Sequence, residues 1–199
     1  MPLVPSELEA VLARAVAAGD DALAVETLRA LGRHQLVEGR AADSLRSLRG
    51  AAERAAHLVE ASLGRPLCDL AGALSALGQP TLADQTYVIA LAHLRRAGDH
   101  AGGADAALER VRSLVDAAPE VVEAAWAEVA RRCAAAGRSD DELAARIAAA
   151  RMASDRGDRV RAFEWLHDLA PRLEGAEGDD ALWARGELAL CLATLGQPT

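Results

Sequence analysis

The sequence contains no lysine and no asparagine, so all 22 of its basic residues are arginine. Isoleucine occurs only at Ile89 and Ile147, and aromatic residues make up 3% of the chain. Avoidance of residues with AT-rich codons, with Ala, Arg and Gly abundant, is expected of a bacterial protein from a GC-rich genome. Scarce aromatic and β-branched residues leave little from which to build a sheet. An excess of positive charge is also missing. The net charge is −8 and the pI about 5.1, which argues against sequence-independent nucleic-acid binding, because that needs a basic face to displace counterions. No run approaches the roughly 18 apolar residues that span a bilayer, and MPLVPSELEA has neither a basic start nor an apolar leader segment. A cytoplasmic protein that does not engage the membrane is expected. Cys68, Cys133 and Cys191 are widely separated and without CxxC spacing. They suit neither a disulfide framework nor a zinc site, and each is expected to be a small buried hydrophobe. Glycine-rich phosphate loops, HExxH and GxSxG are all missing. No catalytic residue, metal site or cofactor is therefore expected.

What is present is a core palette of Ala, Leu and Val. The chain has 199 residues, 51% of them hydrophobic, enough for one domain or at most two. Ala and Leu favour helix. The stretch LGQPT occurs at Leu77 to Thr81 and again at Leu195 to Thr199, 118 residues apart. Sliding the chain by that offset pairs residues 1–81 with 119–199 at 20 identical positions. Among them are Val11 with Val129, Arg33 with Arg151, Leu48 with Leu166, and Leu70-Ala71 with Leu188-Ala189. Such self-similarity marks an internal duplication. A finer beat runs inside it. Gly19, Gly39, Gly78, Gly98, Gly137, Gly157 and Gly196 are spaced alternately by 20 and 39 residues, a sub-unit of 59. Each is expected to close a helix in the left-handed conformation that glycine adopts at little cost.

Between these marks the apolar spacing predicts ten helices and no strand: Ser6 to Ala18, Asp21 to Glu38, Ala41 to Val59, Pro66 to Leu77, Leu82 to Ala97, Ala101 to Ala117, Glu120 to Ala136, Asp140 to Arg156, Val160 to Leu173 and Asp180 to Leu195. Pro66 and Pro119 suit first turns, and Ser139 with Asp140, Asp141 and Glu142 suits a cap with acidic first-turn residues. Connections of two to six residues should set consecutive helices antiparallel. Ala-rich runs such as ELAARIAAA put small residues on two faces, as stacked arrays require.

Leu28, Leu31-Gly32, Gly39, Ser44, Leu48 and Ala51 follow the spacing of large, small and turn residues of one helical hairpin, and Leu67, Leu70-Ala71, Leu74, Gly78, Ala83, Tyr87 and Ala90 repeat it, with Pro80 just after the turn. Trp126, Val129-Ala130 and Gly137 begin another. In these residues the chain resembles the tetratricopeptide repeat (TPR) family. The resemblance implies an all-α solenoid of antiparallel hairpins, a right-handed superhelix over residues 1–199 that binds a protein or peptide on its concave face without catalysis. A 59-residue sub-unit of three helices departs from a family that repeats in pairs. First-helix and second-helix roles should swap between sub-units, and 118 residues should restore them.

If Leu28 and Leu67 lie on first helices, the resemblance implies that Glu26, Arg29, Arg33, Arg65, Glu109 and Arg151 point into the concave surface. Arginine there could hold a partner's carboxylates in a fork. Trp183 is the candidate aromatic anchor in the groove, while Trp126 and Trp165 are expected in the core. His34 and His93 match at the 59-residue offset and are read as structural. The pairs Asp20-Asp21, Asp140-Asp141 and Asp179-Asp180 are read as helix-start carboxylates rather than acid dyads. A chain that closes on a turn motif, after the apolar run LALCLATL, leads to the expectation of a fragment of a longer array or a homodimer through the last helix. A second functional expectation is the sensory or regulatory arm of a larger bacterial signalling protein, a transcription regulator or ATPase.

Overall fold

The structure is a computed structural model that describes residues 5–58 and 63–195. It is all-α. The helices are α1 (Pro5–Ala18), α2 (Asp21–Val37), α3 (Ala41–Ala55), α4 (Gly64–Ala76), α5 (Pro80–Arg96), α6 (His100–Ser113), α7 (Pro119–Ala135), α8 (Ser139–Asp155), α9 (Arg159–Leu166), α10 (Ala170–Glu174) and α11 (Asp179–Thr194). No strand occurs among the described residues.

The glycine beat sets the connections. Gly39 (φ +76°) and Gly157 (φ +78°), its match at the 118-residue offset, stand for a set that also holds Gly19, Gly78, Gly98 and Gly137, all left-handed. At these angles a side chain is strained, so the helix ends there. The amide after each glycine bonds five residues back, Arg40 to the Gln35 carbonyl at 2.8 Å and Asp158 to that of Ala153 at 3.0 Å, which satisfies carbonyls the helix end would orphan. That same residue is the N-cap of the next helix: Asp20 accepts from the Leu23 amide and Asp158 from that of Arg161, both at 3.0 Å. One residue thus ends one helix and starts the next, and hairpins follow without slack. Gly196 to Thr199, the second copy of the LGQPT turn, and the expected end of α3 at Val59 lie outside the described residues.

Two expectations are corrected. Val160 to Leu173 is not one helix: a 3-10 turn, His167–Leu169, separates α9 from α10. Pro171, second in α10, lacks an amide proton and its ring clashes with the carbonyl four residues back, so the α-helix breaks before it. Ser139 is not the cap of α8. Arg138 is the N-cap, and the Ser139 hydroxyl instead accepts from Arg172 Nη2 at 3.0 Å.

The chain divides into two compact units, Met1–Ser113 and Leu114–Thr199. In the first, consecutive helices pack side by side, α2 also packs on α4, and α4 on α6. These three form one layer. Leu48, Ala51, Ala71, Leu74, Ala83, Tyr87, Ala90 and Leu94 are buried, so residues of both matched hairpins make the core. In the second unit α7 pairs with α8, α8 with α9, and α9 with α11, and α8 also packs on α11. Ile147, Ala150, Leu166, Leu169, Leu173, Ala184 and Leu188 form its core. The 118-residue register sets α2 on α8 and α4 on α11, layer helix on layer helix. The 59-residue register sets α2 on α5, which does not belong to the layer, so the exchange of roles expected from three-helix sub-units is present.

Cys133 and Cys191 are fully buried, and Cys68 is half-buried. Two carboxylates knit the second unit where no helix periodicity predicts it. Glu123, 6% exposed, accepts from Arg156, from Arg161 Nε at 2.9 Å and from Trp165 Nε1 at 3.0 Å. Glu187, 8% exposed, accepts from Arg159 and from the Ser154 hydroxyl at 2.8 Å. Buried carboxylates require such donors. Trp165 is half-buried and packs against the core with a polar task for its indole N–H.

Candidate binding cleft

The layer of α2, α4 and α6 carries a cleft of about 330 Å³. One wall is Arg29, Arg33 and Leu36 from α2, with Arg65, Cys68, Asp69 and Gly72 from α4. The other is Gly102, Asp105, Ala106 and Glu109 from α6, and Tyr87 of α5 closes the base. Helical spacing explains the lining: Arg29, Arg33 and Leu36 recur at four and three residues, as do Arg65, Asp69 and Gly72, so each set shares a face.

Four of the sequence-derived candidates, Arg29, Arg33, Arg65 and Glu109, line this cleft. Their surroundings give them different tasks. Arg29 is buried; its Nε donates to Asp69 Oδ2 at 2.7 Å and its Nη1 to Glu26 Oε1 at 2.8 Å. It joins α2 to α4, and Glu26 braces it from the exposed side. Arg65 gives Nε to Asp99 Oδ2 at 2.8 Å, and that bond holds the Asp99 carboxyl below its usual range against the opposing effect of burial. Asp99 also accepts from the Gly102 amide at 2.9 Å and so caps α6. Arg33 is exposed and makes no hydrogen bond or ion pair among the described residues. Glu109 pairs with Arg112 at 2.6 Å, but both are more than half exposed, a pair that binding could exchange at little cost. Tyr87 is 3% exposed, and its hydroxyl, beside Gly72, has no hydrogen-bond partner among the described residues. Burial first, then Glu109, pushes its pKa up, so it stays a neutral donor. Burial and Asp69 likewise push the Cys68 thiol up to about 12, so it lines the cleft as an inert surface.

Of the remaining three candidates, Glu26 is the exposed brace of Arg29 and does not line the cleft, and two lie in the second unit. Arg151 lies over the Trp183 ring at 4.7 Å and donates Nη2 to Asp180 at 2.9 Å. Trp183 is half-buried and packs on the core. Beside them Trp126, Ala144, Ile147, Ala148 and Met152 line a concavity of about 200 Å³. Trp126 is therefore at a surface rather than wholly in the core. Positions paired at the 118-residue offset differ in chemistry. The register sets Arg29, Arg33, Arg65 and Asp69 on Ile147, Arg151, Trp183 and Glu187, so the open arginine of the first unit corresponds to one already engaged by an aromatic ring and a carboxylate.

Sequence reasoning missed Asp69, Tyr87, Asp99 and Asp105. Tyr87, the single tyrosine, enters the sequence pattern only as a hairpin position, and Asp69 does not enter it at all. No group of His, Cys, Asp and Glu that could hold a metal occurs among the described residues, and none of their helices is long and apolar enough to cross a membrane.

No protein-family model and no curated protein matches the chain. Solved structures do resemble it. BtubC (BKLC) from P. vanneervenii superposes with a TM-score of 0.64 at 19% identity, over 96% of this chain and 83% of that one. A Podosopora anserina chain described as carrying nearly identical, kinesin-light-chain TPR-like repeats gives a TM-score of 0.60 at 20% identity, over 86% of this chain and 87% of that one. The fold is thus that of TPR-like helical-repeat proteins, a scaffold of stacked hairpins.

Proposed function

We propose that this chain is a noncatalytic cytoplasmic scaffold that binds a protein or peptide segment in the α2–α4–α6 cleft. One observation carries the proposal: the same cleft holds the exposed guanidinium of Arg33 and, at its base, the hydroxyl of Tyr87, neither with a hydrogen-bond partner among the described residues. A rigid frame with unspent polar groups is what a binding site needs, because its groups are already in place and lose little freedom on association. The ligand this lining suits is an extended segment with an acidic side chain. Its carboxylate would meet Arg33 in a fork and accept from the Tyr87 hydroxyl. A basic side chain nearby would be met by Glu109 and Asp105 across the cleft. Arg29 and Arg65, already held by Asp69 and Asp99, shape the wall and add field. Arg151 and Trp183 form a second, smaller contact surface in the other unit, where the exposed part of the ring and Trp126 favour an apolar side chain.

Selection of displayed peptides on the whole chain, followed by anisotropy titration of the enriched sequences, tests this. Selected peptides should carry acidic residues. Arg33→Glu should weaken them at least about tenfold, the range of one charge-assisted pair, with helicity unchanged. Peptides that bind Arg33→Glu and Glu109→Arg as well as the native chain would remove the cleft from the account.

A further inference from the structure

Helix α11 is apolar on two sides. One side, Ala181, Ala184, Leu188 and Cys191, is buried in the second unit. The other presents Leu182, Gly186, Ala189, Leu190 and Ala193, all exposed, with Leu182 60% and Leu190 43% accessible. Water-facing positions of a surface helix are ordinarily polar, so this face calls for a reason.

The duplication supplies one. At the 118-residue offset these five residues fall on Gly64, Cys68, Ala71, Gly72 and Ser75 of α4. There α5 covers part of the face, at Gly64 and Ala71, while Cys68 and Gly72 stay open to the cleft. Ala71 is fully buried, a Cβ on Gly64 would lie 2.7 Å from Leu94 Cγ, and one on Gly72 would lie 3.6 Å from the Tyr87 hydroxyl. The face of α11 is therefore a copy of one on which a helix docks. A helix like α5 no longer fits it. The glycines beside Leu94 and Tyr87 on α4 are replaced by Leu182 and Leu190, and leucine against leucine would overpack. The matching occupant has small residues where α5 has large ones. Helix α11 supplies that pattern for Leu182: an antiparallel register that sets Gly186 opposite Ala189 also sets Leu182 opposite Ala193, large over small in both halves, with Leu190 flanking the central small residues.

We propose that a second copy of this chain docks here, α11 against α11, antiparallel about a two-fold axis between Gly186 and Ala189. Such a surface is self-complementary, as two-fold pairing requires. One helix of 16 residues per protomer, about 24 Å long, is a small interface, so dissociation in about the micromolar range is expected.

Sedimentation velocity of the whole chain from about 1 to 200 µM, a window that brackets this range, tests the proposal. The expected result is a shift from 20.8 kDa to twice that mass. Leu182→Arg and Leu190→Arg, at exposed positions, should each raise the dimer dissociation constant at least tenfold with far-UV helicity retained. Gly186→Leu, which fills the notch, should do the same. Val37→Arg, at an 89% exposed apolar position on α2, should leave the dimer intact. A monomer throughout the range overturns the proposal, and so does a dimer indifferent to Leu182→Arg and Leu190→Arg. Arg33→Glu should not change the association, so this reading and the peptide-binding one fail separately.

Discussion

Arg29 lies within the cleft, but its contacts make it part of the frame, and its removal should be felt as lost stability. The Arg29 side chain is 8% exposed, and that of Asp69, its partner at 2.7 Å on the neighbouring layer helix, is 15% exposed. Arg29→Met keeps the length and apolar stem but strands Asp69. Glu26, 64% exposed, stays hydrated and adds nothing. Breaking a buried pair by removing one partner costs roughly 3–5 kcal/mol, and Asp69 keeps some water at the cleft, so about 2–3 kcal/mol is expected. Asp69→Leu should cost less, about 1–2 kcal/mol, because Arg29 retains Glu26. Removing both charges should recover much of the loss, a coupling of about 2 kcal/mol in the double-mutant cycle. Urea unfolding followed by far-UV circular dichroism measures all four proteins. Arg29→Met within about 0.5 kcal/mol of the native chain, or strict additivity of the two changes, would refute the assignment of this pair to the frame.

Acid should loosen the second unit through Glu123. Burial acts to raise its pKa, but donation from Arg156, Trp165 and Arg161 outweighs this and holds it below the ordinary 4.5. A depressed carboxylate contributes stability that is present above the unfolded-state value and is lost as pH falls through the folded one. The melting temperature of the native chain should therefore drop below about pH 4.5 more steeply than that of Glu123→Gln, and equal slopes would refute this. Gly64→Ala should destabilise by about 1–3 kcal/mol, because its Cβ would press on Leu94, which is 1% exposed. Gly50→Ala in α3, where the new Cβ would lie 3.6 Å from Leu28 Cδ1, should instead stabilise by about 0.5–1 kcal/mol; urea midpoints compare the two. All three thiols should resist DTNB at pH 8. Cys68, raised to about 12, should react roughly a thousandfold more slowly than a free thiol, and denaturant should restore ordinary reactivity.

Helix positions were legible in the sequence because their signals are local. A glycine that must be left-handed, followed by a residue that caps the next helix, satisfies orphaned backbone groups within a few residues of itself, and six such glycines lie where the beat puts them. Pro171 was also local evidence; the apolar run Val160 to Leu173 continued through it, and only the folded chain shows the run kept while the helix breaks. Arg33, Arg65 and Glu109 were candidates through the family resemblance, which implies concave positions for them if Leu28 and Leu67 lie on first helices. Tertiary structure alone decided what each does. Arg29 spends its charge on Asp69, forty residues away, whereas Arg33, one turn along the same helix, keeps its own. Tyr87 reaches the base of the cleft from an adjoining helix, and Arg151, the match of Arg33 at the 118-residue offset, lies on Trp183. Caps and turns depend on chain neighbours, which the sequence contains. Ion pairs, stacking and the choice of layer depend on where helices cross, and that is set by the packing of many side chains at once.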